Sequence, residues 1–382
     1  MEVYLDNSST TRPYKEVVDA MADAMYNNFG NPSSLHRKGI EAEKLIKSAR
    51  IAVAEAIKAD PEEIFFTSGG TEADNLALRG AAAANRGRHI ISTQVEHPAV
   101  LNTLESLKNS GFVIEYAPVN KNSEVDIEIF KRLVRSDTIL VSAMLVNNET
   151  GAIQPVTEMC RILKSVNPNA LFHIDAVQAF GKIPFTVSST GADMISFSSH
   201  KIHGPKGVGA LYVKKGTRIS PILFGGGQQR NLRPGTENVQ GIYGFGLASK
   251  IANENLSEKM TRVRNLRNRL CDGILREISD VSVNTPLNSA PHILNVSFRG
   301  TRSEVLLHSL ENDGIYISSG SACSSHKKGP SYVMTAIGLD PQLIDGTLRF
   351  SLSEFNTESE IDYTLEKLKG AVASLRKLMK YK

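Results

Sequence analysis

The 382-residue sequence has no tryptophan, only three cysteines, and no run approaching the roughly 18 apolar residues that a membrane helix needs. The last absence argues against a spanning segment. The opening residues, MEVYLDNSSTTRPY, carry neither the basic leader nor the apolar stretch of a secretory signal. A soluble, cytoplasmic protein with no membrane role is therefore expected. Charge of one sign is also missing: 44 basic against 40 acidic side chains leave a net +4, too small an excess to mark a direct nucleic-acid surface. Cys160, Cys271 and Cys323 are too few and too scattered for a disulfide framework or a spaced zinc site, so reduced thiols and no metal are expected.

What is present is an ordinary globular composition, 41% hydrophobic and 22% charged. Between residues 60 and 215 short β-rich runs recur: EIFFTS, HIISTQ, FVIEYAPV, TILVSAMLV, ALFHIDAV, DMISFSS and GALYVK. Several are apolar throughout rather than alternating, and helix-like segments separate most of them, which reads as a seven-stranded, mainly parallel sheet covered on both faces. After GGGQQRNLRPGTENV the pattern changes to helices, then the strands ILNVSF and TLRFSLS, then a basic helix from about Glu358. This divides the chain into a large α/β domain, residues 16–255, and a smaller α+β domain made of residues 1–15 and 256–382.

In sheets of this kind ligands gather at the carboxyl ends of strands. Polar clusters fall at those ends. In SGGTEADN, Gly69, Gly70 and Thr71 are either ordinary capping residues or an anion cradle at a helix N-terminus. In HIDAVQ, Asp175 is either a structural cap or ion pair, or an acceptor for a protonated ring nitrogen. His97 in VEHPAV is either a core histidine or a ring stacked on a ligand. Lys201 in SSHKIHG is either a solvated charge at a strand end or an amine aimed at a carbonyl. Cys160 and Cys271 lie in helix-like segments and suit a core, whereas Cys323 in SSGSACSS has no apolar neighbours to shelter it. Each feature alone is ambiguous. Together, an anion cradle, an acid for a pyridine nitrogen, a stacking imidazole and a Schiff-base lysine are what pyridoxal phosphate requires of a protein.

With these residues assembled, the chain resembles the cysteine desulfurases of the NifS/IscS type, in the class V aminotransferase-like group of pyridoxal phosphate enzymes. The resemblance runs through DNSSTT, GNPSSLH, GGTEADN, VEHPAV, NNETG, HIDAVQ, SSHKIHGPKGVGALY, GGGQQRNLRPGTEN, SSGSACSS and LRFSLSEFNT, nearly end to end. It implies fold type I, the aspartate aminotransferase-like architecture, and a homodimer. It also implies roles for individual residues. Lys201 would bind the cofactor aldehyde and serve as base, Asp175 would hold the pyridine nitrogen and Gln178 the phenolic oxygen, and His97 would stack on the ring. Gly70, Thr71, Ser198 and His200 would hold the phosphate, with Thr236 added from the neighbouring subunit. Asn148 and Arg349 would bind the carboxylate of L-cysteine, and Cys323 would take its sulfur as a persulfide, leaving L-alanine. An acceptor protein, an iron–sulfur scaffold or a tRNA-thiolation enzyme, would collect that sulfur. A selenocysteine lyase or aminotransferase of the same fold would keep Lys201 and Asp175, but transamination needs no thiol such as Cys323; a non-catalytic sulfur-transfer assembly subunit would have no need of Lys201, Asp175, His97 and Arg349. The chain departs from the family at Gln229, where Glu is usual, and in the basic residues His326, Lys327 and Lys328 after the cysteine.

Overall fold

Every residue of TILVSAM, LFHID, MISFS and GALYV is buried, as strands in the middle of a two-faced sheet require. The computed structural model describes residues 1–320 and 329–379. In chain order its first elements are β1 (Val3–Tyr4), α1 (Lys15–Asn27), α2 (Arg37–Ile57), β2 (Ile64–Thr67), α3 (Gly70–Ala84), β3 (His89–Thr93), α4 (Pro98–Asn109) and β4 (Val113–Ala117). There follow α5 (Ile127–Leu133), β5 (Thr138–Met144), α6 (Val156–Val166), β6 (Leu171–Asp175), α7 (Val187–Thr190), β7 (Met194–Ser198) and β8 (Gly209–Val213). The remainder is α8 (Val239–Asn253), α9 (Leu256–Glu277), β9 (Val281–Val283), β10 (Ile293–Phe298), α10 (Ser303–Asn312), β11 (Ile315–Tyr316), α11 (Tyr332–Ala336), α12 (Pro341–Ile344), β12 (Thr347–Ser351) and α13 (Glu358–Leu378).

Strands β2 to β8 form one seven-stranded sheet in the order β2-β8-β7-β6-β5-β3-β4. All neighbours are parallel except β8, which runs antiparallel to both β2 and β7. The carboxyl ends of β2, β3, β5, β6 and β7 therefore share one edge. Alternation sorts the side chains: Phe172, Ile174, Ile195 and Phe197 join a core with α2, α6 and α8, while Leu171 and Met194 join a second core with α3 and α4. Residues two apart share a face. His173, Asp175 and Ser196 consequently look toward α3.

A smaller antiparallel sheet, β12-β10-β9, packs with α9, α10 and α13 in a core of its own that also takes in Val3 and Leu5 beside β1. Strand β1 pairs in parallel with β11, so the N-terminal segment crosses to this part of the molecule and carries Asp6 to Thr11 past the end of the large sheet.

Helices α2 and α8 meet at close range through glycine. A Cβ added to Gly246 would lie 2.4 Å from Ala49 Cα and 2.6 Å from its Cβ. Alanine ordinarily favours a helix over glycine by up to about 1 kcal/mol, but here backbone would have to move. Gly246→Ala is therefore expected to destabilise the protein by about 1–3 kcal/mol, read as a lower urea midpoint with an unchanged slope. A midpoint at or above wild type would show that the two helices can separate freely.

Candidate active site

The polar clusters at the strand ends converge on one cavity of about 170 Å³ between the large sheet, the N-terminal segment and β12. Ten residues expected at the site line it: Gly70, Thr71, His97, Asn148, Asp175, Gln178, Ser198, His200, Lys201 and Arg349. Thr236 does not; it is exposed in the segment before α8. Cys323 lies outside the described residues.

Lys201 closes the single helical turn that follows β7. Its Nζ donates to the carbonyl oxygens of Ser8, at 2.5 Å, and Ser9, at 2.7 Å. The N-terminal segment is thus what aims the amine. Asp175, the last residue of β6, is buried, and Oδ1 accepts from the Val177 N–H at 2.9 Å. Burial raises its proton affinity, against that hydrogen bond and the charge of Lys201, to a pKa of about 6.

His97 caps α4, its Nδ1 accepting from the Ala99 N–H at 3.1 Å. Its proton therefore sits on Nε2. Burial, then the charge of Lys201, pushes its pKa down to about 4, so at neutral pH the ring is uncharged. The same two causes, in the same order, take His200 to about 3. Helix α3 starts at Gly70 without a side-chain cap because its N-cap is a glycine, and Gly69 adopts φ 156° and ψ −179°, a conformation open essentially to glycine alone. Its first N–H groups are left without side-chain acceptors, which is the makings of an anion site.

Arg349 projects from β12 and is 1% exposed. Its Nη1 donates to the Asn148 carbonyl at 2.8 Å, and Nη2 to Asp6 Oδ1 at 2.9 Å and Ser9 Oγ at 2.8 Å. Nε of Arg349 and Oδ1 of Asn148 are buried without a hydrogen-bond partner.

Residue-by-residue reading of the sequence missed several neighbours. Ser8 and Ser9 belong to DNSSTT, whose role is to hold Lys201 and Arg349. Asp74, on the first turns of α3, lines the cavity, with Oδ1 lacking a hydrogen bond and 3.7 Å from His173 Nε2. Burial, then the charge of Asp175, raises its pKa well above the usual range. His173 cannot neutralise it: the ring stands between Ser142 Oγ and Ser196 Oγ, both at 2.9 Å, and burial lowers its pKa to about 3. Nothing in TEADN distinguishes this acid from a surface residue of a helix. Glu149 is buried in NNETG and accepts from Ser331 Oγ at 2.6 Å. Cys160 is buried, and burial raises the proton affinity of both Cys160 and Cys271, making them poor nucleophiles. Among the described residues no helix is long and apolar enough to cross a membrane, and no group of three His, Cys, Asp or Glu is arranged to hold a metal.

Comparison with known proteins gives concordant findings. Residues 3–364 match the family Aminotransferase class-V. The cysteine desulfurase IscS of Dictyoglomus turgidum is 44% identical over 384 aligned positions, covering 100% of this chain and 97% of that protein. Among solved structures, one described as a NifS-like protein superposes with a TM-score of 0.93 at 42% identity, covering 98% of this chain and all of the other. Another, SspA in complex with cysteine, superposes with a TM-score of 0.82 at 32% identity over 93% of this chain.

Proposed function

The chain belongs to the class-V aminotransferases and, among them, to the cysteine desulfurases, and from that premise we propose that it works with pyridoxal phosphate and passes the sulfur of L-cysteine to Cys323. The observation that carries the reading is the pair of Lys201 and Asp175 facing one cavity, the amine aimed by two carbonyls and the carboxylate buried. A protonated ring nitrogen would give the buried Asp175 carboxylate a cationic partner in direct contact. The start of α3, with Thr71, Ser198 and His200, suits a phosphate, and the unpartnered Nε of Arg349 suits a substrate carboxylate.

When bound, the cofactor supplies an aldehyde for an amine and a ring that accepts the electron pair released at a substrate carbon. The chain's own groups do the rest. Arg349 and Asn148 orient L-cysteine by its carboxylate. Lys201 would hold the cofactor through its aldehyde, and its Nζ would take the α-proton of the substrate and later return it to the same carbon. His97, neutral with its proton on Nε2, would help hold the ring. Asp175 would keep the ring nitrogen protonated, and Gln178 would donate to the phenolic oxygen. Cys323, as thiolate, attacks the substrate sulfur: an S–S bond forms as the C–S bond breaks, and the carbon keeps the electron pair and takes a proton. Alanine leaves and Cys323 carries a persulfide, so oxidation of sulfur is balanced by reduction of carbon without an outside oxidant. Thr236 completes the phosphate site from the second subunit of a homodimer, and a sulfur-acceptor protein in the cytoplasm, an iron–sulfur scaffold or a tRNA-thiolation enzyme, collects the sulfur.

The test is the visible spectrum of the purified protein before and after L-cysteine, with alanine and reductant-released sulfide measured for wild type and Cys323→Ala. A cofactor band that shifts with cysteine, and alanine and sulfide in equal amounts that are lost in Cys323→Ala, are expected. Alanine formed equally well without Cys323 would remove the thiol from the reaction.

A further inference from the structure

A second cavity adjoins the site, and Lys201 lines both. It holds another lysine, Lys182, from the turn after β6. Lys182 is half-buried there. Among the described residues no carboxylate pairs with it. Glu354, the acid lining the same cavity, is engaged by the Tyr14 hydroxyl at 2.8 Å and by Lys259 Nζ at 3.4 Å. Burial, then the charges of Lys201 and Arg349, lowers the proton affinity of Lys182 well below that of a free lysine. As amine or ammonium it remains a donor.

That donor goes to Oε1 of Gln178, at 3.3 Å. The same oxygen faces Nε2 of His292 at 3.4 Å. His292 is buried just before β10, Nδ1 has no partner, and burial holds the ring neutral, so the proton belongs on Nε2. On its other arm, Gln178 Nε2 donates to the Ser8 carbonyl at 2.8 Å. Turning the amide over would set its NH2 against a lysine amine and an imidazole N–H, and its oxygen against a carbonyl. The Ser8 contact would become repulsive, leaving a buried polar group unsatisfied at about 1–3 kcal/mol, and an ammonium at Lys182 would lose its acceptor. The orientation of the amide is therefore decided by its neighbours. It leaves the second N–H of Nε2 unclaimed by Ser8, on a residue that lines the site.

We infer that Lys182, seconded by His292, is a positioning residue for the desulfurase reaction: it locks the Gln178 amide so that an N–H is presented to the phenolic oxygen of the cofactor. The inference rests on the cofactor reading above and adds two residues to it. Lys182 comes from the connection between β6 and β7 of the large sheet and His292 from the connection between β9 and β10 of the small one, so the lock also ties the amide to both sheets.

The experiment is a pH titration of the visible cofactor band in the loaded protein. A donor to the phenolic oxygen lowers the basicity of the group it faces, so removing the lock should raise the midpoint of the titration by about one pH unit. Lys182→Met, similar in length but without a donor, is expected to show that rise, and Lys182→Arg to restore most of the wild-type midpoint. In a Gln178→Leu background, Lys182→Met should shift the midpoint no further, because both changes remove one interaction. Should Lys182→Met fail to fold, His292→Leu tests the other donor and is expected to move the midpoint the same way by a smaller amount. An unmoved midpoint in the single variants, or equal shifts with and without Gln178, overturns the lock. A wild-type protein with no visible band after reconstitution overturns the cofactor reading itself, and the lock with it.

Discussion

Lys201→Ala is expected to lower turnover of L-cysteine by about a thousandfold or more while leaving the protein folded. The loss is large because one amine has two tasks, holding the aldehyde at rest and taking the α-proton afterwards. Lys182 cannot stand in, although it lines the adjoining cavity, because its amine lies behind Gln178 and donates to that side chain. The structural cost is small by comparison. Lys201 ends a single helical turn, and its removal leaves the Ser8 and Ser9 carbonyls without that donor, on the order of 1–3 kcal/mol. Alanine formation measures the first effect. Borohydride reduction followed by peptide mass analysis gives an independent readout: a cofactor adduct is expected on Lys201 in wild type and absent from the variant. An adduct elsewhere in the variant, with turnover retained, would assign the amine to another residue.

The strands were legible because the central sheet is covered on both faces, which makes its segments uniformly apolar. Direction was less visible. GALYV has the same texture as its parallel neighbours, yet β8 runs the other way. The clue was length: the connection from β7 to β8, residues 199–208, is shorter than the dozen or so residues that a parallel crossover needs. Site residues at strand ends could be found because topology alone brings those ends together. Asp74, Lys182 and His292 could not. TEADN, FGKIP and APHIL contain nothing that separates a buried partner from a solvated side chain, and their roles arise only when α3, the turn after β6 and the start of β10 meet. Arg349 is intermediate: a guanidinium inside TLRFS is conspicuous, but its partners, Asp6 and Ser9, lie at the far end of the chain.

Asp175→Asn should separate function from stability. The amide keeps the shape of the carboxylate and can still accept from the Val177 N–H, but it cannot carry the charge that holds a ring nitrogen protonated. Turnover is expected to fall by about 10²–10³-fold. Stability without cofactor should move the opposite way. The pKa of Asp175 is about 6 in the folded chain and about 3.9 in an unfolded one. A carboxyl with a raised folded pKa binds its proton more tightly when folded, so its contribution is complete below about pH 4 and is lost as pH rises to about 6. Asparagine does not titrate. Cofactor-free Asp175→Asn is therefore expected to be more stable than wild type by about 2–3 kcal/mol at pH 7, with the gap closing toward pH 4. Urea unfolding of both proteins at a series of pH values measures this. Adding cofactor should reverse the order, because the wild-type carboxylate then gains its cationic partner. A gap that is independent of pH would mean that Asp175 is solvated in the cofactor-free protein, and that its role in the site does not depend on burial.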